Sequence, residues 1–510
     1  PKYQNKAGIT SKVVLPMYRT PFLYTSDWVV DYKAKAYMGG WEFEYTIIKE
    51  VSNKLGFDLY LVDIAGLLDR QKIYGYPDDA ERFTAFQIAV VHWMSHWNHK
   101  PTAVHCHDYH AGLIPFMMQH CYDYKNLKDV PTVLTIHNAQ YQGWMPWAQS
   151  LLIPRWDLSK KGLLDWGDSI NPLAAAIKCA SKVTTVSPSY MQELMHNANG
   201  LETLIAAEKN KCVGILNGID HEVWNPATDS YLTEHFSVNT VTAGKQKNKQ
   251  NICDQFGLDT SKPLFVFIGR LVGEKAADVL PGALHIAVQR YGAKASYIIL
   301  GSGEPAIEAG LTNLAYANNH DVKISLGYNE SLSHGLYAAA DFLLMPSRVE
   351  PCGLNQLYAM RYGTVPMVRS TGGLQDTVVD MGDEGGYGIR FTHASENDIV
   401  DSIGRAIEVF DNKKHLLWMR ERMMQINHSW EQTVQSSIFH TVNPKTNQAL
   451  PTAFQEATSD QIDTAVAAAE VSFETYASTS FEERATFLQT IQEELQSHQQ
   501  FILETYQEES

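Results

Sequence analysis

The sequence has little that would suit a membrane, an oxidising compartment or a nucleic acid. Its apolar runs are all shorter than the roughly 18 residues that a transmembrane helix needs. No apolar stretch follows the basic residues at the start, so we expect no secretory signal. The 6 cysteines include no C-x-x-C pair, and a chain of 510 residues does not need disulfides, so we expect reduced thiols in the cytoplasm. A formal charge of −16 argues against a nucleic-acid partner, which requires a basic surface.

Glycine is absent from residues 440–510, although the preceding chain is rich in it. The same segment contains 12 acidic and 2 basic side chains, so it carries −10 of the total charge of −16. Both changes indicate a composition boundary near His440. We therefore predict a separate segment at 439–510.

Short apolar runs alternate with longer helical patterns through the rest of the chain, and the pattern at 81–97 is typical of an amphipathic helix. This alternation predicts an α/β fold, in which parallel sheets carry helices on both faces. A polar, lysine-rich stretch at 230–263 separates two sets of strands. We predict two doubly wound, Rossmann-like domains, 1–229 and 230–438, that face a central cleft where ligands bind. The predicted strands are 12–15, 58–62, 103–106, 132–136, 182–186, 212–216, 264–268, 296–300, 322–326, 342–345 and 364–368.

The motif P-S-R-V-E-P-C-G-L-N-Q at 346–356 follows a predicted strand and opens a predicted helix. A helix start that is reached through a glycine presents free backbone N–H groups, which suit a phosphate or a sugar hydroxyl. The carboxylate of Glu350 stands just ahead of these groups. On these residues alone, Glu350 as a helix-terminal charge and Cys352 as a packed thiol remain an alternative.

A second motif, G-R-L-V-G-E-K at 269–275, follows the first strand of the second set. Arg270 and Lys275 can clamp a diphosphate and neutralise the charge that it gains as a leaving group. The alternative is a loop with two solvated cations.

Two histidine clusters end strands in the first domain, H-C-H-D-Y-H-A-G-L at 105–113 and T-I-H-N-A-Q-Y-Q-G at 135–143. Imidazoles and a carboxylate would suit zinc, but polar groups at a strand end in such a fold more often contact a sugar. We therefore predict no metal, and histidines that only cap the strand ends remain possible. A further turn, S-T-G-G-L at 370–374, places two glycines and a hydroxyl where a helix begins, which is a candidate phosphate cradle or a simple tight turn.

Taken in order, these motifs resemble bacterial glycogen synthases and plant starch synthases, which are glycosyltransferases of the GT-B fold. The resemblance also includes L-N-G-I-D at 216–220 followed by W-N-P at 224–226, and it extends from the first residue to about 437. It implies a retaining glycosyltransferase that moves glucose from ADP-glucose, or UDP-glucose in some relatives, to the non-reducing end of an α-1,4-glucan such as glycogen. It also implies that no metal or other cofactor takes part.

The resemblance implies roles for particular residues. Arg270 and Lys275 would bind the diphosphate, Glu350 would face the donor glucose, and His137 would lie beside the anomeric centre. Asp108 would contact donor hydroxyls. The other expected substrate-binding residues are Asn138, Asn217, Tyr328 (against the adenine), Cys352, Gly353, Leu354, Thr371 (near the phosphates) and Gly372.

Three departures from the family pattern are visible. The family begins with a strand and a Lys-x-Gly-Gly-Leu loop, whereas this sequence opens at Pro1 with what resembles the following segment, so we expect weakened donor binding and catalysis. Ala276 stands where the family has glycine, and we expect some crowding of the phosphate loop. The tail from about Phe439 resembles the beginning of an aldehyde dehydrogenase, without that enzyme's nucleophile or cofactor site, and a capping box at Ser480 predicts a helix there.

Alternatives remain at this point. The chain could be a catalytically impaired glucan-binding remnant, or another GT-B enzyme such as a sucrose or trehalose-type synthase. The mostly helical tail could be a regulatory helix pair rather than the product of a fusion or a chimera.

Overall fold

The computed structural model describes residues 1–435, 438–443 and 448–455, together with Ser480 and Gln489. Residues 1–430 form one compact unit, and residues 431–510 form a second. The strands are β1 Lys12–Pro16, β2 Trp28–Met38, β3 Trp41–Glu50, β4 Asp58–Asp63, β5 Val104–His107, β6 Thr132–Ile136, β7 Asp165–Trp166, β8 Ser169–Ile170, β9 Lys182–Thr185, β10 Cys212–Gly214, β11 Leu264–Ile268, β12 Ser296–Gly301, β13 Val322–Leu326, β14 Phe342–Met345, β15 Val365–Arg369, β16 Ile389–Phe391, β17 Ile438–Asn443 and β18 Gln448–Gln455.

The α-helices connect most of these strands. They are α1 Lys2–Lys6, α2 Pro21–Thr25, α3 Asp79–Ser95, α4 Ile114–His120, α5 Lys161–Leu164, α6 Pro172–Cys179, α7 Pro188–Leu194, α8 Glu202–Ala207, α9 Val241–Phe256, α10 Leu280–Tyr291, α11 Pro305–Ala317, α12 Glu330–Ala339, α13 Asn355–Arg361, α14 Gly372–Thr377, α15 Glu396–Asp411, α16 Lys413–Met424 and α17 Trp430–Gln435.

The first half of the larger unit contains two four-stranded sheets. One has the order β1-β4-β3-β2 and ends in the long antiparallel hairpin of β2 and β3, which turns at Gly39 and Gly40. The other has the order β10-β9-β6-β5 and is parallel throughout. Helix α3 contributes Phe83, Phe86 and Trp93 to the hydrophobic core of this half. The carboxyl ends of β5 and β6 therefore present the two histidine clusters side by side.

The second half contains a six-stranded parallel sheet of order β13-β12-β11-β14-β15-β16. Its central strands are buried on both faces because helices cover the sheet on each side, which explains their nearly continuous apolar sequence. The chain runs outward from β11 to β13 and then returns to the other side of β11 as β14. This change of direction makes a switch point at the carboxyl ends of β11 and β14, where open α/β sheets bind ligands.

The predicted α/β architecture is confirmed, and each of the predicted strands coincides with an observed one within two residues at either end. The long hairpin of β2 and β3 was missed, as was the short edge strand β16. The boundary at 229/230 stays a prediction, although Ile219 and Trp224 upstream of it already pack against the core of the second half.

A buried charge network around Asp341 ties four elements of the second half together. Asp341, directly before β14, accepts hydrogen bonds from Lys249 of α9 at 2.7 Å and from Arg420 of α16 at 2.6 Å. It also accepts the backbone N–H of Leu264 at the start of β11 at 2.9 Å. Burial opposes ionisation of Asp341, but the two cations and the hydrogen bonds outweigh it and hold the pKa of this carboxyl below its ordinary value. The network therefore fixes the amino end of β14, the strand that leads to Glu350.

The smaller unit is described in part. Strands β17 and β18 pair antiparallel, with an irregularity between His440 and Val442. The sequence analysis did not predict these strands. Apart from Gln489, which is helical, the predicted helical pattern after Ser480 lies outside the described residues. Within the described part of the chain, none of the helices combines the length and the apolar composition that crossing a bilayer requires.

Candidate active site

The centre of the site is an ion pair between the loops that follow β11 and β14. Lys275 Nζ lies 2.7 Å and 2.6 Å from the two carboxylate oxygens of Glu350, so it donates to both. Ser347 Oγ donates to the same carboxylate at 2.8 Å. Because the side chain of Glu350 is only 7% exposed, its charge depends on these partners. The two motifs that the sequence singled out thus meet at the switch point of the second sheet.

The loop from Gly269 to Ala276 brings Arg270 and Glu274 close to Tyr141 of the first domain. Arg270 pairs with Glu274 at 3.2 Å and remains largely exposed. Burial and the neighbouring Glu274 carboxylate raise the pKa of Tyr141, which comes from the second histidine cluster of the first domain. Ala276 adopts φ 51° and ψ 32°, a left-handed conformation that glycine takes more easily, and its side chain is fully buried. The alanine is therefore accommodated beside Lys275 in a conformation that stores some backbone strain.

The two histidine clusters are joined through Asp108. Its carboxylate accepts the backbone N–H of His137 at 2.8 Å. Burial raises the pKa of Asp108, although His137 and the backbone N–H groups of His137 and Asn138 favour its ionised form. Asp108 has φ 54°, an uncommon conformation for a non-glycine residue, and such strain clusters at functional sites.

A hydrogen bond of 2.9 Å joins His107 Nδ1 and His137 Nε2. Burial, with the neighbouring His105 and His137, lowers the pKa of His107 to about 3, so this ring is neutral at pH 7. His110 instead packs edge-on against Phe83, at 4.5 Å between ring centroids. The H-x-H-D-x-H motif therefore does not converge on one point, and within the described residues no group of three His, Cys, Asp or Glu side chains is placed to hold a metal ion.

Cys352 and Asn217 lie together at the back of the site. Cys352 is 4% exposed, and burial raises the pKa of its thiol to about 12 although the nearby backbone of Asn217 acts to lower it. Gly353 follows with φ 74°, a turn that leads through Leu354 into α13. The backbone of this loop, rather than the inert thiol, is therefore the part of the motif that can contact a substrate.

Thr371 and Gly372 are bonded to the other domain. Glu193 of α7 accepts the Thr371 hydroxyl at 3.0 Å and the Gly372 N–H at 2.7 Å. An added Cβ at Gly372 would lie 2.1 Å from the carbonyl oxygen of Glu350, and one at Gly373 would lie 2.1 Å from that of Cys352. These glycines therefore let the turn at 370–374 pack directly under the Glu350 loop.

The side chains of two expected substrate-binding residues hydrogen-bond to near neighbours in the sequence. Tyr328 is 85% exposed, and its hydroxyl donates to Glu330 at 2.9 Å. The side-chain oxygen of Asn138 accepts the backbone N–H of Gln140 at 3.0 Å. The binding roles of both residues stay predictions.

Sequence reasoning missed Ser347 and Glu193, which contact the site directly. Ser347 stands three residues before Glu350, a spacing that lets a hydroxyl reach the carboxylate across the turn. Glu193 follows the S-P sequence at 187–188 by five residues, and no local pattern links it to a partner 178 positions away.

The chain matches two families in succession and a third at its end. Residues 1–207 match the starch synthase catalytic domain, and residues 248–416 match the glycosyl transferases group 1. Residues 430–510 match the aldehyde dehydrogenase family.

Similar proteins cover most of the chain. A glycogen synthase from Flavobacterium johnsoniae is 49% identical over 438 residues, which is 86% of this chain and 92% of that protein. A glycogen synthase from Geobacillus thermodenitrificans is 33% identical over 447 residues, 85% of this chain and 90% of that protein. The solved structure of the catalytic domain of starch synthase IV from Arabidopsis thaliana, bound to ADP and acarbose, aligns with a TM-score of 0.76 and 30% identity, covering 85% of this chain and 92% of that one.

Two facing α/β domains with a charged switch point, together with these matches, define a glycosyltransferase of the GT-B fold. The chain belongs to the family of bacterial glycogen synthases and plant starch synthases. The resemblance that the motifs indicated is thereby confirmed, as is the foreign, aldehyde dehydrogenase-like segment at the end of the chain.

We expect Gly372→Ala to lower glycosyl transfer at least about tenfold. Its φ of 44° disfavours a side chain by roughly 1–2 kcal/mol, and the new methyl would displace the Glu350 loop. Initial rates of transfer measure the effect. Gly162→Ala is the matched control, because nothing lies within 4 Å of its added Cβ. Equal rates for both variants would mean that the turn does not support the loop.

Proposed function

We propose that this protein transfers glucose from ADP-glucose to the non-reducing end of an α-1,4-glucan with retention of anomeric configuration. The observation that carries the proposal is the Lys275–Glu350 pair at the switch point of the second sheet, in a chain whose first domain brings Asp108 and His137 together at the ends of β5 and β6. In the reaction the bond from the anomeric carbon to the diphosphate breaks, a bond to the 4-oxygen of the terminal glucose forms, and the proton of that hydroxyl passes to the departing ADP. Leaving-group stabilisation and positioning, rather than a pair of hydrolytic carboxylates, are then the tasks of the site.

The positive side chains serve the leaving group in this proposal. Lys275 donates to two carboxylate oxygens of Glu350, and a diphosphate offers oxygens of the same kind. Arg270 is 62% exposed and pairs with Glu274 at 3.2 Å, a pair that a phosphate can replace as Arg270 turns toward it. Both cations would lower the energy of the departing ADP as its charge develops.

The remaining residues would hold the sugar and the base. The backbone N–H groups of Cys352, Gly353 and Leu354 would contact sugar hydroxyls, with Glu350 facing the ring. Asp108, Asn138 and His137 would approach the donor glucose from the first domain. The other proposed contacts are Asn217 beside the Cys352 loop, Tyr328 against the adenine, and Thr371 and Gly372 near the phosphates.

The donor and acceptor are supported by the starch synthase IV structure, which was solved with ADP and acarbose. The proposal includes no metal or cofactor. We also propose the domain limits 1–229, 230–438 and 439–510, the last being the aldehyde dehydrogenase-like segment.

The test is release of ADP when the purified chain meets ADP-glucose and glycogen, with Glu350→Ala in parallel. We expect release from the wild type and none above background from the variant. A parallel assay with UDP-glucose identifies the preferred nucleotide. Equal release from both proteins would contradict the assignment of the site, and glycogen binding without any release would favour a glucan-binding protein instead.

A further inference from the structure

Helix α7 of the first domain reaches the loop that carries Glu350 in the second domain. Ser187, its N-cap, donates from Oγ to the carbonyl oxygen of Pro351. Ser189 donates to the carboxylate of Asp376, from its backbone N–H at 2.8 Å and from its hydroxyl at 2.5 Å. Glu193 accepts from Thr371 and Gly372, as described above. We call this set of contacts the α7 clamp.

The hydrogen bonds of Glu193 hold the turn that packs against the Glu350 loop, whereas those of Ser189 hold Asp376. Gly373, next to the N–H that Glu193 accepts, donates its own N–H to the carbonyl oxygen of Glu350 at 3.1 Å. The close packing of Gly372 against that same carbonyl leaves no space between the turn and the loop. Two short steps therefore connect the Glu193 carboxylate to the backbone of Glu350.

Asp376 lies in α14, one turn beyond these contacts. Among the described residues, Ser189 is the hydrogen-bond partner of its side chain. The hydrogen bonds of Ser189 thus join the two domains without involving the backbone of the Glu350 loop. This difference separates a general interface role from a role at the site.

We propose that Glu193 is a positioning residue: its carboxylate holds the turn at 370–374 so that the Glu350 loop stays aligned with Lys275. The proposal rests on the proposed function for its kinetic consequence. Hydrogen bonds from N–H and O–H groups to a carboxylate are among the stronger ones in proteins. Displacement of a reacting group by about 1 Å can lower a rate on the order of 100-fold, so a looser turn acts on the rate rather than on glucan binding.

The first test compares Glu193→Ala, Glu193→Gln and Ser189→Ala in glucosyl transfer. We expect Glu193→Ala to lower kcat at least about tenfold with little change in the KM for glycogen. Glu193→Gln keeps a side-chain oxygen for both donors and should recover most of kcat, whereas Ser189→Ala should remain close to the wild type. Unchanged kcat in Glu193→Ala, or an equal loss in Ser189→Ala, would overturn the proposal.

The second test does not depend on catalysis. Cys352 lies in the Glu350 loop, is 4% exposed and has a raised pKa because of burial, so a thiol reagent should modify it slowly. We expect iodoacetamide to label Cys352 faster in Glu193→Ala than in the wild type or Ser189→Ala, as followed by peptide mass analysis. Equal labelling in all three proteins would overturn the proposal even if no transfer activity is found, and absent activity in the wild type alone would overturn only the proposed function.

Glu193→Asp covers the case in which Glu193→Ala does not fold. Aspartate keeps the charge but is one methylene shorter, so it cannot reach both donors from the same backbone position. We expect the same loss of kcat and the same gain in Cys352 labelling, each smaller than for alanine. Wild-type values in both measurements would overturn the proposal.

Discussion

Replacing Lys275 with methionine should reduce glucosyl transfer by about 10²- to 10³-fold, the usual effect of removing one group that stabilises developing charge. Lys275 donates to both oxygens of Glu350, and under the proposed function it also faces the departing diphosphate. Methionine keeps most of the length and the apolar stem but removes the charge. The carboxylate of Glu350 then retains Ser347 as its side-chain donor at 2.8 Å. The loss should therefore appear in kcat, measured by ADP release at saturating donor.

Lys49→Met is the matched control for this experiment. Lys49 pairs with Asp58 at 2.9 Å between neighbouring strands of the first domain, and both side chains are about one third exposed. Such a pair contributes only about 0–1 kcal/mol to stability, so transfer should stay near the wild-type rate. If Lys275→Met were as active as Lys49→Met, the cation would have no part in the chemistry. If both variants lost activity together, the assay would be reporting damaged folding.

The parallel sheets were the most predictable part of the fold. Strands such as β11 and β14 are buried on both faces, so their sequences are short apolar runs that stand out between helices. The hairpin of β2 and β3 was missed because one face is open to solvent and its apolar residues only alternate. That alternation in Tyr32, Ala34, Ala36 and Met38, followed by Gly39 and Gly40, is a hairpin signal that could have found it.

Contacts within the candidate site were predictable where a local motif carries the charged side chains, although the roles of these residues stay predictions. Glu350 and Lys275 were found separately, and the fold brings them into contact because the strands before them, β11 and β14, are neighbours in the sheet. Glu193 was not found because its role comes from the packing of one domain on another. Thr371 and Gly372 resemble a phosphate cradle in sequence, whereas in the structure the carboxylate of Glu193 accepts their N–H and O–H groups. Sequence patterns show which groups are available but not which of them a distant side chain already engages.

The end of the chain illustrates the value of composition. The lack of glycine and the excess of acidic side chains are by themselves enough to indicate a boundary near His440. The aldehyde dehydrogenase match begins at 430, and the compact division falls after Trp430. A difference in composition becomes visible only when it is averaged over many residues. It therefore locates a junction less sharply than a family match does.

The largest effect on stability is expected from Asp341→Ala. The carboxylate of Asp341 joins Lys249, Arg420 and the backbone of Leu264, and all three side chains of the ion network are at most 10% exposed. Removing the acid leaves two buried cations without their counter-ion. Breaking a buried ion pair in this way typically lowers the free energy of unfolding by about 3–5 kcal/mol. Chemical denaturation of the full chain, followed by a signal from the larger unit, measures the change.

Asp401→Ala is the control, since Asp401 pairs with Arg290 at 2.7 Å but both side chains are largely exposed. Its loss should cost no more than about 1 kcal/mol. A similar small change in Asp341→Ala would mean that the network does not stabilise the second domain.

The same experiment repeated across pH gives a sharper result, because the pKa of Asp341 is lower in the folded than in the unfolded chain. A carboxyl with a lowered pKa stabilises the fold above its unfolded value of about 3.9, and this contribution disappears as the pH falls from there through the folded pKa. The free energies of unfolding of the wild type and Asp341→Ala should therefore differ by a constant amount between about pH 6 and 7. This difference should shrink below about pH 4. If the difference in the free energy of unfolding stays constant down to the lowest pH, the ionised form of Asp341 is not what holds α9, α16 and β14 together. If the difference disappears at low pH, this carboxylate is one of the groups whose protonation destabilises the domain that carries Glu350.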